Sequence, residues 1–217
     1  VEAKPMQVEV PEYTVAADVD VDPSRTALII VDMQNDFVRP DGALPIEDAA
    51  ATIGPIRRLH AFAREHGVAI YYTQDSHYSE DREFSLWGEH CTVGTPGWQV
   101  VEELAPDAAA GDLVFRKDRY DGFFGTNLET TLRQRGIDTL IICGTVANIC
   151  VLYTAASAAI RWYHVILPID AVSAINEFDL QLTIRQVGWL FRGTITRSSA
   201  LHAKRGAPVD SSGASDE

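Results

Sequence analysis

Thr26-Ala-Leu-Ile-Ile-Val31 is a nearly unbroken apolar run of strand length. A run with no polar alternation suits a central strand covered on both faces. Apolar residues then recur at helical spacing, Ile53, Ile56, Leu59 and Phe62/Ala63, and the pattern stops near Gly67. Val68 to Thr73 predicts a second strand, and Leu113 to Phe115 a short third one. Thr126-Asn-Leu-Glu129 has the spacing of a capping box, in which the hydroxyl and the carboxylate satisfy free donors at a helix start. That helix is predicted to run to Arg135 and to close on Gly136. Thr139 to Cys143 reads as another buried strand and Cys150 to Trp162 as a helix. His164 to Pro168 reads as a strand, Phe178 to Phe191 as a helix and Thr194 to Arg197 as a last strand. No internal repeat is visible.

Repeated strand-then-helix units predict an α/β fold: a three-layer αβα single domain over residues 24–205 with a central, mostly parallel sheet. Residues 1–23, polar and valine-rich with scattered acids, read as an N-terminal arm lying on the domain or on a neighbouring subunit. Residues 206–217, rich in Ser, Gly, Asp and Pro, read as a disordered tail. In parallel sheets of this kind sites form at the carboxyl ends of the strands, so the candidate chemistry is sought there.

Composition narrows the function classes. Of 217 residues, 46% are hydrophobic, enough for a sizeable core. The net charge of −13 argues against nonspecific nucleic-acid binding and against an anionic membrane surface, both of which need Lys and Arg. The acidity also fits a halophilic source, although solubility alone explains it. The three cysteines, Cys91, Cys143 and Cys150, form no disulfide framework and no CxxC pair. No signal peptide and no bilayer span are expected, which points to a cytoplasmic protein.

Three strand ends carry candidate chemistry. Asp32 follows the first strand, where a capping or turn aspartate is the plainer reading. Lys117 follows the third, where it is either a solvated cation or an inward partner for a carboxylate and a thiol. Cys150 lies beyond Gly144 at a helix entry. There the helix dipole would lower its pKa, and free N–H groups could form an oxyanion hole. Cys143, inside its strand, reads as an inert core thiol. A further cluster, Asp75, His77, Glu83 and His90, is either a surface loop or a site for one divalent metal, with ligands that suit Zn, Mn or Fe.

Val31-Asp-Met-Gln-Asn-Asp-Phe37, the Lys117 segment and Gly144-Thr-Val-Ala-Asn-Ile-Cys150 together resemble the isochorismatase-like cysteine hydrolases over roughly Ser24 to Ser199. The resemblance implies an Asp32–Lys117–Cys150 triad, with Asp32 as acid and base, Lys117 stabilising the thiolate and Cys150 attacking a carbonyl. It implies an oxyanion hole from the N–H groups of Val146 and Cys150, and a cis bond between Thr145 and Val146. Its nicotinamide-cleaving members suggest a metal on Asp75, His77 and His90, with Phe37 and Trp87 walling a ring; Glu83 stands where a histidine is often found. Lys117-Asp-Arg-Tyr-Asp-Gly-Phe-Phe-Gly-Thr126 looks more like the carbamoyl- and ureido-cleaving branches. There Arg119 would hold a substrate carboxylate, with Tyr120 beside it, unless Arg119 belongs to a structural ion pair. The resemblance further implies hydrolysis of a small-molecule amide, no organic cofactor and a homo-oligomer.

Overall fold

The computed structural model describes residues 7–204. Six parallel strands form the main sheet: β2 (Thr26–Val31), β3 (Ala69–Asp75), β4 (Leu113–Lys117), β5 (Thr139–Gly144), β6 (His164–Pro168) and β7 (Thr194–Thr196), in the spatial order β4-β3-β2-β5-β6-β7. Successive residues of β2 face opposite layers. Ala27, Ile29 and Val31 pack with Leu128, Leu132, Ala155, Ala158 and Ile184, while Leu28 and Ile30 pack with Ile56, Leu59 and Ala63. Burial on both faces explains why the strand carries no polar alternation.

Six α-helices accompany the sheet: α1 (Asn35–Val38), α2 (Ile53–His66), α3 (Phe84–Trp87), α4 (Leu128–Gln134), α5 (Leu152–Ile160) and α6 (Glu177–Arg185). The three-layer αβα architecture is therefore present. Helix α2 ends as its pattern predicts, on Gly67 in the left-handed conformation, and Gly136 has the same conformation after α4.

Several boundaries differ from the sequence expectation. The capping box before α4 does not form: Thr126 Oγ1 accepts from Leu128 N at 3.3 Å, but Glu129 turns to Arg161 at 2.7 Å. The helix predicted from Cys150 begins as a π-helical turn, Ala147–Val151, whose Val146 carbonyl accepts from both Ile149 and Val151. The predicted helix Phe178–Phe191 is α6 followed by a second π turn, Gln186–Leu190. Two strands had no sequence signal, being only three residues long: β1 (Val19–Val21) pairs in parallel with β8 (Leu201–Ala203). The end of the N-terminal segment thus lies on this domain, and Ala16 N–H donates to the Ile195 carbonyl at 2.8 Å. The tail expected over 206–217 lies outside the described residues. Among those described, no helix is long and apolar enough to cross a membrane.

From β2 the sheet grows toward β3 and β4 on one side and toward β5, β6 and β7 on the other. The chain ends leaving β2 and β5 therefore diverge and open a crevice at a topological switch point.

Candidate active site

The crevice gathers one residue from each neighbouring strand end. Val31 is in register with Thr73 and Gly144, and Asp75 with Lys117. Asp32 leaves β2 with a φ of 49°, which turns its carboxylate under the crevice. Thr73 Oγ1 donates to Asp32 Oδ1 at 2.7 Å, and Lys117 Nζ lies 2.7 Å from Asp32 Oδ2. Lys117 Nζ also donates to Asp75 Oδ1 at 3.0 Å and reaches Cys150 Sγ at 3.5 Å. Asp32, Lys117 and Cys150 are all buried. The structure thus brings the three sequence-derived candidates into one contact group.

Burial lifts the Asp32 carboxyl above its usual range, against the pull of Lys117. Burial would lower Lys117, but the charges of Asp32 and Asp75 outweigh it and keep the ammonium protonated. The Cys150 thiol is pushed well up, first by burial and then by Asp32 and Asp75, with Lys117 opposing. This corrects the expectation of a thiol acidified by a helix dipole. Of the neighbouring charges, Lys117 is the one whose contact with Sγ favours the thiolate.

Gly144 bends the chain from β5 into the turn with a φ of 115°. A Cβ there would stand 2.1 Å from the Val31 carbonyl oxygen. The Thr145–Val146 bond is cis. Ala147 N–H donates to the Ser173 carbonyl at 2.8 Å, and Ser173 Oγ donates to Thr145 Oγ1 at 2.8 Å, which pins the turn from behind. Among the described residues the Val146 N–H has no hydrogen-bond partner, and the Cys150 N–H has none outside its own turn. The Val146 N–H is free to meet a developing oxyanion, with the Cys150 N–H in the turn that follows it.

A cavity opens over Cys150. Phe37, Trp87 and Tyr120 line it, as do Val146, Asp75, Glu83 and His90. Trp87 Nε1–H donates to the Tyr120 hydroxyl at 3.0 Å across the rim. Arg119 does not line the cavity: its guanidinium pairs with Asp81 at 3.3 Å and contacts the Asp118 carbonyl. The ion-pair alternative describes its position. Sequence reasoning missed Leu44, Ile46, Ile149 and Ile175 in the lining, apolar residues whose types carry no chemical signal. It also missed Gln34, whose side chain clamps the backbone of Asp75 through both N–H and carbonyl groups.

Asp75, His77 and His90 place ligand atoms within 4.8 Å of one another. Asp75 Oδ2 lies 3.0 Å from His77 Nε2 and 3.5 Å from His90 Nε2. The other ring nitrogens are held from behind, His77 Nδ1 by Asp81 at 3.0 Å and His90 Nδ1 by the Gly88 carbonyl at 2.8 Å. Donor set and outer support both fit a metal, since ligating histidines usually give their second N–H to a carboxylate or carbonyl. Glu83, the fourth residue of the sequence set, is buried in the cavity wall but falls outside this three-residue group.

Fold and site together define a three-layer α/β protein with a buried Asp–Lys–Cys group at a topological switch point. The isochorismatase domain family matches residues 26–199, and the chain belongs to that family. It is 30% identical to the ureidoacrylate amidohydrolase RutB of Agrobacterium fabrum over 82% of this chain and 92% of that protein. Its fold matches the N-carbamoylsarcosine amidase of Thermoplasma acidophilum with a TM-score of 0.73 at 40% identity, over 80% of this chain and 96% of the other. It matches the nicotinamidase PncA of Bacillus subtilis with a TM-score of 0.76 at 29% identity, over 80% of this chain and all of that one (100%).

Proposed function

We propose that this chain is a cysteine amidohydrolase that cleaves a C–N bond of a small uncharged carboxamide, with nicotinamide as the leading substrate and nicotinate and ammonia as products. The observation that carries the reading is the buried Cys150 thiol set against Lys117 and Asp32 beneath an aromatic-walled cavity. Asp32 takes the thiol proton as Cys150 Sγ attacks the amide carbonyl carbon. The oxyanion is received by the N–H groups of Val146 and Cys150. Asp32 returns its proton to the departing nitrogen, ammonia leaves and a thioester remains. Asp32 then draws a proton from water, which attacks the thioester, releases the acid and restores the thiol. Lys117 stays protonated throughout and offsets the negative charge on Asp32 and Sγ.

Asp75, His77 and His90 would hold a divalent metal, Zn, Mn or Fe, which when bound supplies a Lewis acid for a substrate lone pair. Phe37 and Trp87 both line the cavity, an apolar setting that suits a heteroaromatic ring. Ammonia release from nicotinamide, measured with metal-replete and chelated protein alongside direct metal analysis, tests the reading. Turnover that needs Cys150 is expected, and absence of turnover by metal-loaded protein would refute nicotinamide as substrate.

The second reading, a carbamoyl or ureido amidase, draws on the likeness to N-carbamoylsarcosine amidase and on the Lys117–Thr126 segment. With Arg119 engaged by Asp81, an uncharged ureido compound of the biuret type fits this cavity better than a carboxylate-bearing one. Vinyl-ether cleavage of the isochorismatase type does not need a thiol, and retention of Cys150 speaks against it.

A further inference from the structure

Asp36 lies in the first turn of α1, next to the cavity residue Phe37, and does not itself line the cavity. Each oxygen of its carboxylate accepts from a backbone N–H: Oδ2 from Cys91 at 2.7 Å and Oδ1 from Ala43 at 3.0 Å. Both donors adjoin cavity residues. Cys91 follows His90, and Ala43 precedes Leu44 and Ile46. The backbone repeats the link. Leu44 N–H donates to the Asp36 carbonyl at 3.1 Å, Ile46 N–H to the Phe37 carbonyl at 2.8 Å, and Asp36 N–H to the Gly97 carbonyl at 2.9 Å.

Two of the surrounding positions show that the carboxylate is needed there. Cys91 has a φ of 46°, in the left-handed region that residues with a side chain rarely adopt. Its N–H meets Asp36, while its carbonyl accepts from the His77 N–H at 3.1 Å. A hydrogen bond to a charged acceptor is among the stronger ones, so Asp36 holds Cys91 in a conformation it would otherwise leave. Gly97 is the second position. A Cβ there would stand 2.1 Å from Asp36 Oδ1 and 2.4 Å from Oδ2. Its own φ is not among the positive ones, so the approach of this carboxylate, and not backbone freedom, calls for glycine.

We propose that Asp36 is a positioning residue of the active site: its carboxylate seats His90 and Cys91 against the wall built by Phe37, Leu44 and Ile46, and the bare backbone of Gly97 makes room for it. Asp36 acts through the backbone. Fixing Cys91 fixes the preceding His90, whose ring centroid lies 5.7 Å from that of Phe37 and whose Nε2 lies 3.5 Å from Asp75 Oδ2. The inference rests on the amidohydrolase reading only for what the cavity takes, since the seating of His90 involves no substrate.

Two measurements test it without a substrate, so a chain inactive on nicotinamide leaves the test standing. One is zinc affinity, by competition with a chromogenic chelator. The other is the amide proton of Cys91 in a proton–nitrogen correlation spectrum, which a carboxylate acceptor at 2.7 Å holds downfield. Asp36→Asn keeps the shape but turns one acceptor into a donor that faces another N–H. It should weaken zinc binding by about tenfold or more and move the Cys91 proton upfield, whereas a side chain needed only for packing would tolerate it. Gly97→Ala changes no charge and should do the same by displacing the carboxylate. Added to Asp36→Ala, Gly97→Ala should weaken zinc binding by less than about twofold further, because the atoms it strikes are gone. A wild-type chain that binds no zinc, an affinity or a Cys91 resonance left unchanged by Asp36→Asn, or effects of Asp36→Ala and Gly97→Ala that simply add would each overturn the proposal. Should the Asp36 variants fail to fold, an unchanged affinity or resonance in Gly97→Ala overturns it alone.

Discussion

Replacing Lys117 with Met keeps the buried stem and removes the cation between Asp32 and Asp75. At an effective dielectric constant of about 20, contacts of 2.7 and 3.0 Å correspond to gross attractions of about 6 and about 5.5 kcal/mol. The net loss is smaller, because a stranded carboxylate can bind a proton instead of staying charged. From an unfolded-state value of about 3.9, holding one carboxyl protonated at about pH 7 costs about 4 kcal/mol, at 1.36 kcal/mol per unit. Asp75 keeps His77 and His90 as partners, so Asp32 is the group that takes the proton. Because burial already lifts Asp32 in the wild type, this cost is an upper bound, and the variant should be less stable by up to about 4 kcal/mol at about pH 7. Raising the folded-state value of Asp32 makes its contribution complete below the unfolded-state value and lost as pH rises toward the folded one. The deficit should thus shrink on acidification, to at most about 1.5 kcal/mol near pH 5. Urea unfolding of both proteins across that range measures it. A deficit that is absent at neutral pH, or that fails to narrow in acid, would show that Lys117 does not neutralise Asp32.

Cys150 should resist alkylation by iodoacetamide more than an ordinary thiol of value roughly 8.5, with a rate still climbing above that pH; a plateau below it would contradict a buried thiol pushed upward by its surroundings. Arg119→Ala should leave kcat and KM for the best amide substrate within about twofold, since an exposed ion pair contributes about 0–1 kcal/mol; a large rise in KM would return Arg119 to the substrate. Gly144→Ala should destabilise by about 4 kcal/mol or more in urea unfolding, because its φ is positive and its Cβ would collide with the Val31 carbonyl; near-wild-type stability would mean that β2 and β5 can part there.

The central strands and the three reactive positions were legible because their signals are local. Buried parallel strands are continuous apolar runs, and Asp32, Lys117 and Cys150 stand just where such runs meet loops. What escaped depends on contacts distant in sequence. Val19–Val21 and Leu201–Ala203 are strands only because they pair with each other. Glu129 abandons the capping box for an arginine 32 residues away in sequence. The upward pull on the Cys150 thiol was hidden for the same reason. Helix position is written locally, but burial and the approach of Asp32 and Asp75 appear only once four strands align. Asp81 could have been found: it lies four residues after His77, across a short turn, and its carboxylate supports that ring.

Register explains why the histidine pair and the triad cannot be treated as separate devices. Asp75 is paired in the sheet with Lys117, so its Oδ1 faces the ammonium while its Oδ2 faces His77 and His90. Two buried carboxylates, Asp32 and Asp75, share one buried ammonium, which leaves the group one positive charge short. Burying an uncompensated carboxylate is costly, so the missing charge must sit at Oδ2 of Asp75. A divalent metal on Asp75, His77 and His90 supplies it. Without metal, His77 supplies it: burial alone would lower the imidazole, but Asp75, then Asp81 and Glu83, outweigh that and lift it to about 9. Either way Asp75 is neutralised from its far side, and Lys117 is left to serve Asp32 and Cys150. Removing His77 should therefore reach the thiol through Asp75 and Lys117, even though His77 does not touch the triad.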